Sequence, residues 1–339
     1  MSRDTEALFN KMISGDRVSL GQVMTLVESN LAEDREQAID ILYRCEKKLE
    51  EKDTSYRFAI SGSPGAGKST LIEALGMHAI NAGHKVGILT IDPTSSISKG
   101  SILGDKSRMP RLSTHEKAFV RSTGAGDVLG GLGRRSMELM TILAAAGYDL
   151  IFLETVGVGQ SEHTTWQFTD GFVLVIQPGA GDELQGIKRG ITELADIVVV
   201  NKADRDLIQL AKVAKAQYET ALHFFSSTRD GWIPKILTCS SLELSGIDNV
   251  WEALRFYIKY LDQRQTKKQD RIRQKSNWLD WSIRLSAQEL MTRHALINQK
   301  MEAGQSKIRQ EPTSVFTIEF EIEKLMTDLF HSSNPSTKS

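Results

Sequence analysis

Apolar positions follow two different periods along the chain, and the changes of period divide it. In residues 1–52 they recur at helical spacing: Leu20, Val23, Met24, Val27 and Leu31, then Ala38, Ile39, Ile41 and Leu42. Such a stripe predicts helices that need a partner surface. Glu50-Glu51-Lys52-Asp53 forms a polar junction after them. From Tyr56 to about Leu261, short apolar runs alternate with longer amphipathic ones. The runs predict strands over 57–61, 85–91, 118–121, 150–154, 171–177, 196–201 and 235–239. Helices are predicted between most of them, over 68–82, 126–146 and 204–222 for example. Short apolar strands joined by helices are covered on both faces, which gives an α/β fold with a mostly parallel sheet.

Beyond Leu261 the composition shifts again. Residues 264–273 are dense in charge, and Trp278, Trp281, Leu285 and Leu290 follow on a long helical pattern. A second helix is predicted to begin near Pro312-Thr313, with Ile318, Ile322, Leu325 and Leu329 on one face. Phe316, Ile318, Phe320 and Ile322 also alternate, so the same stretch fits a strand. Thin terminal helices cannot bury this much apolar surface alone, which predicts an interaction arm for self-association. The expected organisation is a helical extension (1–52), an α/β domain (53–262), a helical interaction arm (263–331) and a flexible tail (332–339).

Composition narrows the function classes. The 339 residues are 40% hydrophobic and 25% charged, as in soluble globular proteins. No window nears the roughly 18 uninterrupted apolar residues of a membrane span. The start, Met1-Ser2-Arg3-Asp4-Thr5-Glu6, has neither a signal core nor the basic, acid-poor character of a transit peptide, so a cytoplasmic location is expected. With 42 basic and 43 acidic residues there is no overall electrostatic footprint for nucleic acid. Cys45 and Cys239 stand in unrelated contexts, and the seven histidines are scattered. A bound metal is therefore expected to be a hard ion held by oxygen atoms.

Against this background one motif stands out. Gly62-Ser63-Pro64-Gly65-Ala66-Gly67-Lys68-Ser69-Thr70 contains G-x-x-x-x-G-K-[ST] between a predicted strand and a predicted helix, the context of a P-loop NTPase. Its glycines let backbone N–H groups point inward around phosphates, and the helix N-terminus adds positive potential. Lys68 would reach the β and γ oxygens, and the Ser69 hydroxyl would ligate Mg²⁺. Asn201-Lys202-Ala203-Asp204 follows a later buried strand. A carboxylate at Asp204 can accept both guanine N1–H and N2–H₂, whereas adenine offers no such pair and would leave it unpaired. The plain alternative is a strand-end turn capped by Asn201. Its place after the phosphate loop, at the tip of a parallel strand, favours base reading. Ser240-Ser241 can supply a further backbone contact to the base.

Carboxylates complete the picture. Glu154 ends a strand in Glu154-Thr155-Val156-Gly157, where it can hold Mg²⁺ directly or through water while the Gly157 N–H approaches a γ-phosphate. Asp92 ends another strand, and Asp105 follows in a glycine-flanked segment. Lys68, Asp92 and Glu154 are the candidate catalytic residues, with Asp92 positioning water or metal. Ser69, Asp92, Asp105 and Glu154 are the candidate metal ligands. Residues 92–108 and 178–188 have the permissive polar composition of nucleotide-dependent switches, although long mobile surface loops would look the same. The second of them carries Asp182, Gln185 and Lys188. Trp166, Phe168 and Phe172 read as core or interface, and His163 and His223 have no visible ligand partners.

These segments, in this order, resemble the MeaB/ArgK/MMAA family of P-loop GTPases. The uninterrupted Glu154-Thr155-Val156-Gly157-Val158-Gly159-Gln160-Ser161-Glu162 and Pro178-Gly179-Ala180-Gly181-Asp182-Glu183-Leu184-Gln185-Gly186-Ile187-Lys188 are far more specific than the phosphate loop alone. The resemblance implies a homodimeric, Mg²⁺-dependent GTPase that converts GTP to GDP and phosphate. It would serve as a chaperone for an adenosylcobalamin-dependent acyl-CoA mutase, usually methylmalonyl-CoA mutase. Such proteins gate cofactor delivery and protect the mutase, whose binding stimulates hydrolysis. The family pattern puts Asp92, Asp105 and Glu154 around Mg²⁺ and assigns Asp182, Gln185 and Lys188 to a loop that couples nucleotide state to the partner. It puts the dimer contact in the arm from about Arg264. A nickel-delivery GTPase would want a His/Cys-rich tract or a Cys-Pro-Cys-like pair, and this chain has neither. A P-loop kinase acting on a protein or small molecule, and a non-hydrolysing assembly module, are the remaining alternatives.

Overall fold

The computed structural model describes residues 5–92, 108–124, 133–155, 161–179, 189–222, 231–310 and 315–332. Three helices come first: α1 (Thr5–Ile13), α2 (Arg17–Glu28) and α3 (Ala32–Glu51). Asp16 caps α2 by accepting the N–H groups of Val18 and Ser19. Leu20, Val23, Met24, Val27, Ala38 and Ile41 are buried, as the helical stripe predicts. Leu31 and Ile39 are exposed instead, because Leu31 lies in the turn before α3 and Ile39 points off its packed face. The buried side of α2 and α3 rests on α6 (Ser136–Ala145), which itself covers the sheet.

The remaining elements of this region, in chain order around α6, are β1 (Tyr56–Ser61), α4 (Lys68–Asn81), β2 (Val86–Asp92), α5 (Pro110–Thr114), β3 (Ala118–Gly124), β4 (Leu150–Glu154), α7 (Ser161–Gln167) and β5 (Gly171–Ile176). They continue with α8 (Arg189–Leu194), β6 (Ile197–Val200), α9 (Ile208–Leu222), β7 (Lys235–Thr238) and α10 (Ile247–Arg264). Every predicted strand is present. All pairings are parallel, in the order β3-β2-β4-β1-β5-β6-β7. Wholly apolar runs such as Leu150-Ile151-Phe152-Leu153 and Ile197-Val198-Val199-Val200 make this outcome necessary, since both faces need cover. Phe58, Ile60, Phe152 and Val175 face α4 and α10, where Leu71, Leu75, Trp251 and Leu254 meet them. Ala59, Phe172, Leu174 and Val198 face the other way, toward Ala211, Ala214 and Tyr218 of α9.

Some boundaries differ from the sequence periodicity. The helix predicted over 126–146 runs from Ser136, its predicted start lying outside the described residues. The one predicted from Asp204 begins with a 3-10 turn, Arg205–Leu207, because Asp204 itself is extended and its side chain is bonded elsewhere. Phe316–Ile322 is helical, so the strand alternative does not hold there.

Two compact units divide the chain, Met1–Gln274 and Lys275–Ser339. The division falls inside α11 (Lys267–Arg293), which is followed by α12 (Ala295–Gln310) and α13 (Val315–Ser332). In the second unit α12 and α13 pack together. A Cβ on Gly304 would lie 2.5 Å from Ile318, and Lys300 pairs with Glu321 at 2.7 Å. Sequence periodicity did not separate α12 as an element of its own. Among the described residues no helix is long and apolar enough to cross a membrane.

In the first unit, the start of α11 is held by buried charge. Arg271 donates both terminal nitrogens to the Asp170 carboxylate, its Nε to Asp53 at 2.8 Å, and a further bond to Ser55 O at 3.0 Å. Gln274 Nε2 donates to Asp170 at 3.2 Å, and so does the Arg57 backbone N–H at 2.8 Å. Burial alone pushes the Asp170 carboxyl up, but the charge and hydrogen bonds of Arg271 outweigh it and hold the group below the usual range. Asp53 is held low for the same reasons.

Removing one partner of a buried ion pair leaves the other uncompensated, a loss of about 3–5 kcal/mol. Arg271→Met is predicted to lose this much in urea unfolding of the full chain. Because both carboxylates are depressed in the fold, their contribution is complete above about pH 4 and disappears as pH falls through the lowered folded values. Stability measured from pH 7 down to pH 4 should therefore keep this term.

Candidate functional site

Parallel strands deliver all their C-terminal ends to one edge of the sheet. The segment 62–67 leaves β1 there, Glu154 closes β4, Gln177-Pro178-Gly179 follows β5, Asn201 follows β6 and Ser240 follows β7. This edge is where open α/β sheets bind ligands. The sequence-predicted residues on β1, β4, β6 and β7 therefore converge because of topology.

The 62–69 loop is shaped by two close approaches. Gly62 has φ +151°, and a Cβ on it would lie 2.0 Å from Val175 O of β5. Gly67 has φ +89°, and its Cβ would lie 2.5 Å from Asn201 Nδ2. No side chain fits either position. Pro64 and Gly65 stand exposed at the rim, while Ala66 is buried beneath. Lys68 opens α4, whose first-turn N–H groups have no intrahelical acceptor and form an anion site. Its Nζ lies over the loop, donating to Gly62 O at 2.7 Å and Ser63 O at 3.2 Å. Burial lowers the Lys68 ammonium, and the Glu154 carboxylate acts against that shift. Ser63 Oγ is buried with no hydrogen-bond partner among the described residues. Thr70 is exposed on the first turn.

Ser69 Oγ donates to Glu154 Oε1 at 2.7 Å, so the helix start and the β4 tip share one point. A hydroxyl and a carboxylate are the hard oxygen donors that Mg²⁺ takes, and the pair fits that ion. Asp92 closes β2, two positions beyond the residue that pairs with Glu154 on the neighbouring strand. Its side chain, together with Asp105, Gly157, Asp182, Gln185 and Lys188, lies outside the described residues. Among the described residues no three His, Cys, Asp or Glu side chains converge as a metal nest.

On the other side of the loop, Asn201 joins two segments distant in sequence. Its Nδ2 donates to Ala66 O at 3.0 Å, and its Oδ1 accepts from the Ser241 N–H at 3.1 Å and the Ser241 hydroxyl at 2.8 Å. The Cys239 thiol also faces Oδ1, at 3.6 Å, and burial pushes that thiol up to about 11, which leaves it unreactive. Asp204 accepts from the Ser240 hydroxyl, which in turn accepts the Glu243 N–H at 3.0 Å. Lys202 has φ +58° and donates through Nζ to Gln177 Oε1 at 3.1 Å. Ser240 and Ser241 are thus tied to Asp204 and Asn201 through their hydroxyls, and Ser241 also through its N–H. Gln177, Val175 and Cys239 were not predicted; only their positions at strand ends beside the motifs could have marked them.

Known proteins resemble the chain over most of its length. Residues 20–299 match the family model described as methylmalonyl Co-A mutase-associated GTPase MeaB. The GTPase ArgK of Escherichia coli is 40% identical over 298 residues, 86% of each chain. A mouse protein named methylmalonic aciduria type A homolog, mitochondrial, is 41% identical over 260 residues, 75% of this chain and 63% of its own. The crystal structure of a protein named LAO/AO transport system kinase superposes with a TM-score of 0.73 at 30% identity, covering 95% of this chain and 97% of that one.

Truncating Asn201 would strand Ala66 O and both Ser241 donors, at about 1–3 kcal/mol for each group left buried and unpaired. Asn201→Ala is predicted to lower the urea midpoint and nucleotide affinity together. An unchanged midpoint would contradict the bridging role.

Proposed function

The chain belongs to the MeaB family of methylmalonyl-CoA mutase-associated GTPases, and on that premise we propose that it is a slow, Mg²⁺-dependent chaperone GTPase. It would assist cofactor loading and protection of an adenosylcobalamin-dependent acyl-CoA mutase, most directly methylmalonyl-CoA mutase. The observation that carries the reading is the Asn201 bridge, which holds the 62–69 loop and the Ser240-Ser241 segment beside Asp204 in one frame. A phosphate cradle and a carboxylate for the base are then supplied by a single rigid edge.

In this reading GTP lies along that edge. The first-turn N–H groups of α4 and the Lys68 ammonium meet the β- and γ-phosphate oxygens, and Asp204 accepts the two guanine donors. Ser69 and Glu154 would hold Mg²⁺ together with Asp92 and Asp105, and the ion when bound neutralises charge on the γ-phosphoryl group. Phosphoryl transfer depends mainly on positioning and charge. Without a further supplied charge, hydrolysis should run at roughly 10⁻⁴ to 10⁻² per second. Partner docking on the loop that carries Asp182, Gln185 and Lys188 would then stimulate it. Exposed Leu279, Ile283, Leu290, Phe316 and Phe320 support self-association through the C-terminal helices. The relative of known structure is named a kinase, which supports a second reading, transfer of the γ-phosphate to an acceptor.

Lys68→Ala is predicted to lower turnover by about 100-fold or more, the scale of losing a group that stabilises transition-state charge. Normal turnover in that variant would remove Lys68 from the mechanism. Asp204→Asn should shift preference from GTP to xanthosine triphosphate by roughly 10–100-fold, since one acceptor becomes a donor. Competition binding measures this directly, and unchanged preference would refute base reading by Asp204.

A further inference from the structure

We propose that Gln177 is a positioning residue for the base, acting through Lys202. The inference rests on the guanine-binding reading and adds to it a residue outside the recognised motifs. Gln177 is the first residue after β5, and Lys202 is the second after the neighbouring β6. The strands are in register there, Ile176 opposite Val200, with the Asn201 N–H donating to Ile176 O at 2.9 Å. Side by side, the two strand ends let the Gln177 amide oxygen accept from Lys202 Nζ at 3.1 Å.

What this bond controls follows from its neighbours. Asn201 is locked by four hydrogen bonds, to the 66 and 67 carbonyls and to Ser241, and the Ala203 N–H donates to Cys239 O at 2.9 Å. Lys202, between these two pinned residues, has its backbone in the left-handed region at φ +58°. A non-glycine residue persists there only when its surroundings hold it. Its long side chain is held at the tip by Gln177, which draws the four-carbon stem out into a fixed apolar strip. A base whose edge meets Asp204 presents its face to the 201–204 segment, and a Lys stem covers such a face well. A free Lys202 side chain would have to be ordered upon binding, with loss of rotamer freedom.

The test is fluorescence titration of the full-length chain with labelled GDP, IDP and XDP, using wild type, Gln177→Leu, Gln177→Glu, Lys202→Met and the Gln177→Leu/Lys202→Met double variant. Gln177→Leu should weaken GDP binding by about tenfold, the size of one hydrogen bond to a charged group. It should weaken IDP and XDP by the same factor, because Gln177 acts on the face of the base and Asp204 on its edge. Gln177→Glu keeps the acceptor and should bind within about twofold of wild type. In the Lys202→Met background, Gln177→Leu should add no further loss, whereas an unrelated structural defect would add in full. Wild-type affinity in Gln177→Leu, equal losses in the Glu and Leu variants, or additivity in the double variant would each overturn the proposal while leaving guanine binding intact. A wild-type protein that did not bind GDP would overturn both.

Discussion

One side-chain amide sets the geometry on which the C-terminal edge of the sheet depends. Asn201 is almost fully buried, and both ends of its amide are used, the nitrogen on the 66–67 backbone and the oxygen on Ser241. A side-chain amide donates from its nitrogen and accepts at its oxygen within one rigid plane. Aspartate could not donate there, and leucine would strand polar groups on both sides. The need for this group at that point explains its surroundings. Gly67 must lack a Cβ because Asn201 Nδ2 lies within 2.5 Å of where it would be, and Gly62 must lack one because β5 passes behind it. β6 must end where it does so that the chain can turn and bring Asp204 to Ser240.

The opposite end of the same strands is organised by charge. Asp170 precedes β5 and Arg57 lies in β1, so the strands that frame the 62–69 loop are tied at their starts to Arg271 and Gln274 of α11. Apolar residues of similar size could pack as stably, but they would accept several registers of α11. A bidentate Arg–carboxylate contact accepts one. The first compact unit ends at Gln274, the last residue of this cluster. The chain thus continues the folded body past the composition change at Leu261, through the first turns of a helix that then belongs to the second unit.

What could be read from sequence, and what could not, follows from the range of the interactions. The seven strands were legible because buried parallel strands carry their own signature, unbroken apolar runs bounded by polar tips. The 62–70 and 201–204 segments could be picked out because each is a contiguous motif at a strand end, and the structure brings both to one edge through Asn201. Gln177 was not, since its bond to Lys202 forms only when β5 and β6 lie side by side, and its place at a strand end was the one local mark it carried. Asp53, Arg57, Asp170 and Arg271 each look like ordinary surface charge, and their meeting point spans more than two hundred positions of chain. The helical stripe of residues 20–42 was too generous for a related reason. Periodicity identifies a face, but the surface it meets decides how wide the face is, and α6 leaves Leu31 and Ile39 in solvent.

The central claim is that one edge of the sheet holds GTP and passes its γ-phosphate to water. Following γ-labelled GTP with Mg²⁺ and the full-length chain, alone and with a methylmalonyl-CoA mutase, tests it most directly. The label is expected to appear as free phosphate, slowly with the chain alone and faster with the mutase. Label transferred to an acceptor, or no release of phosphate under either condition, would contradict it.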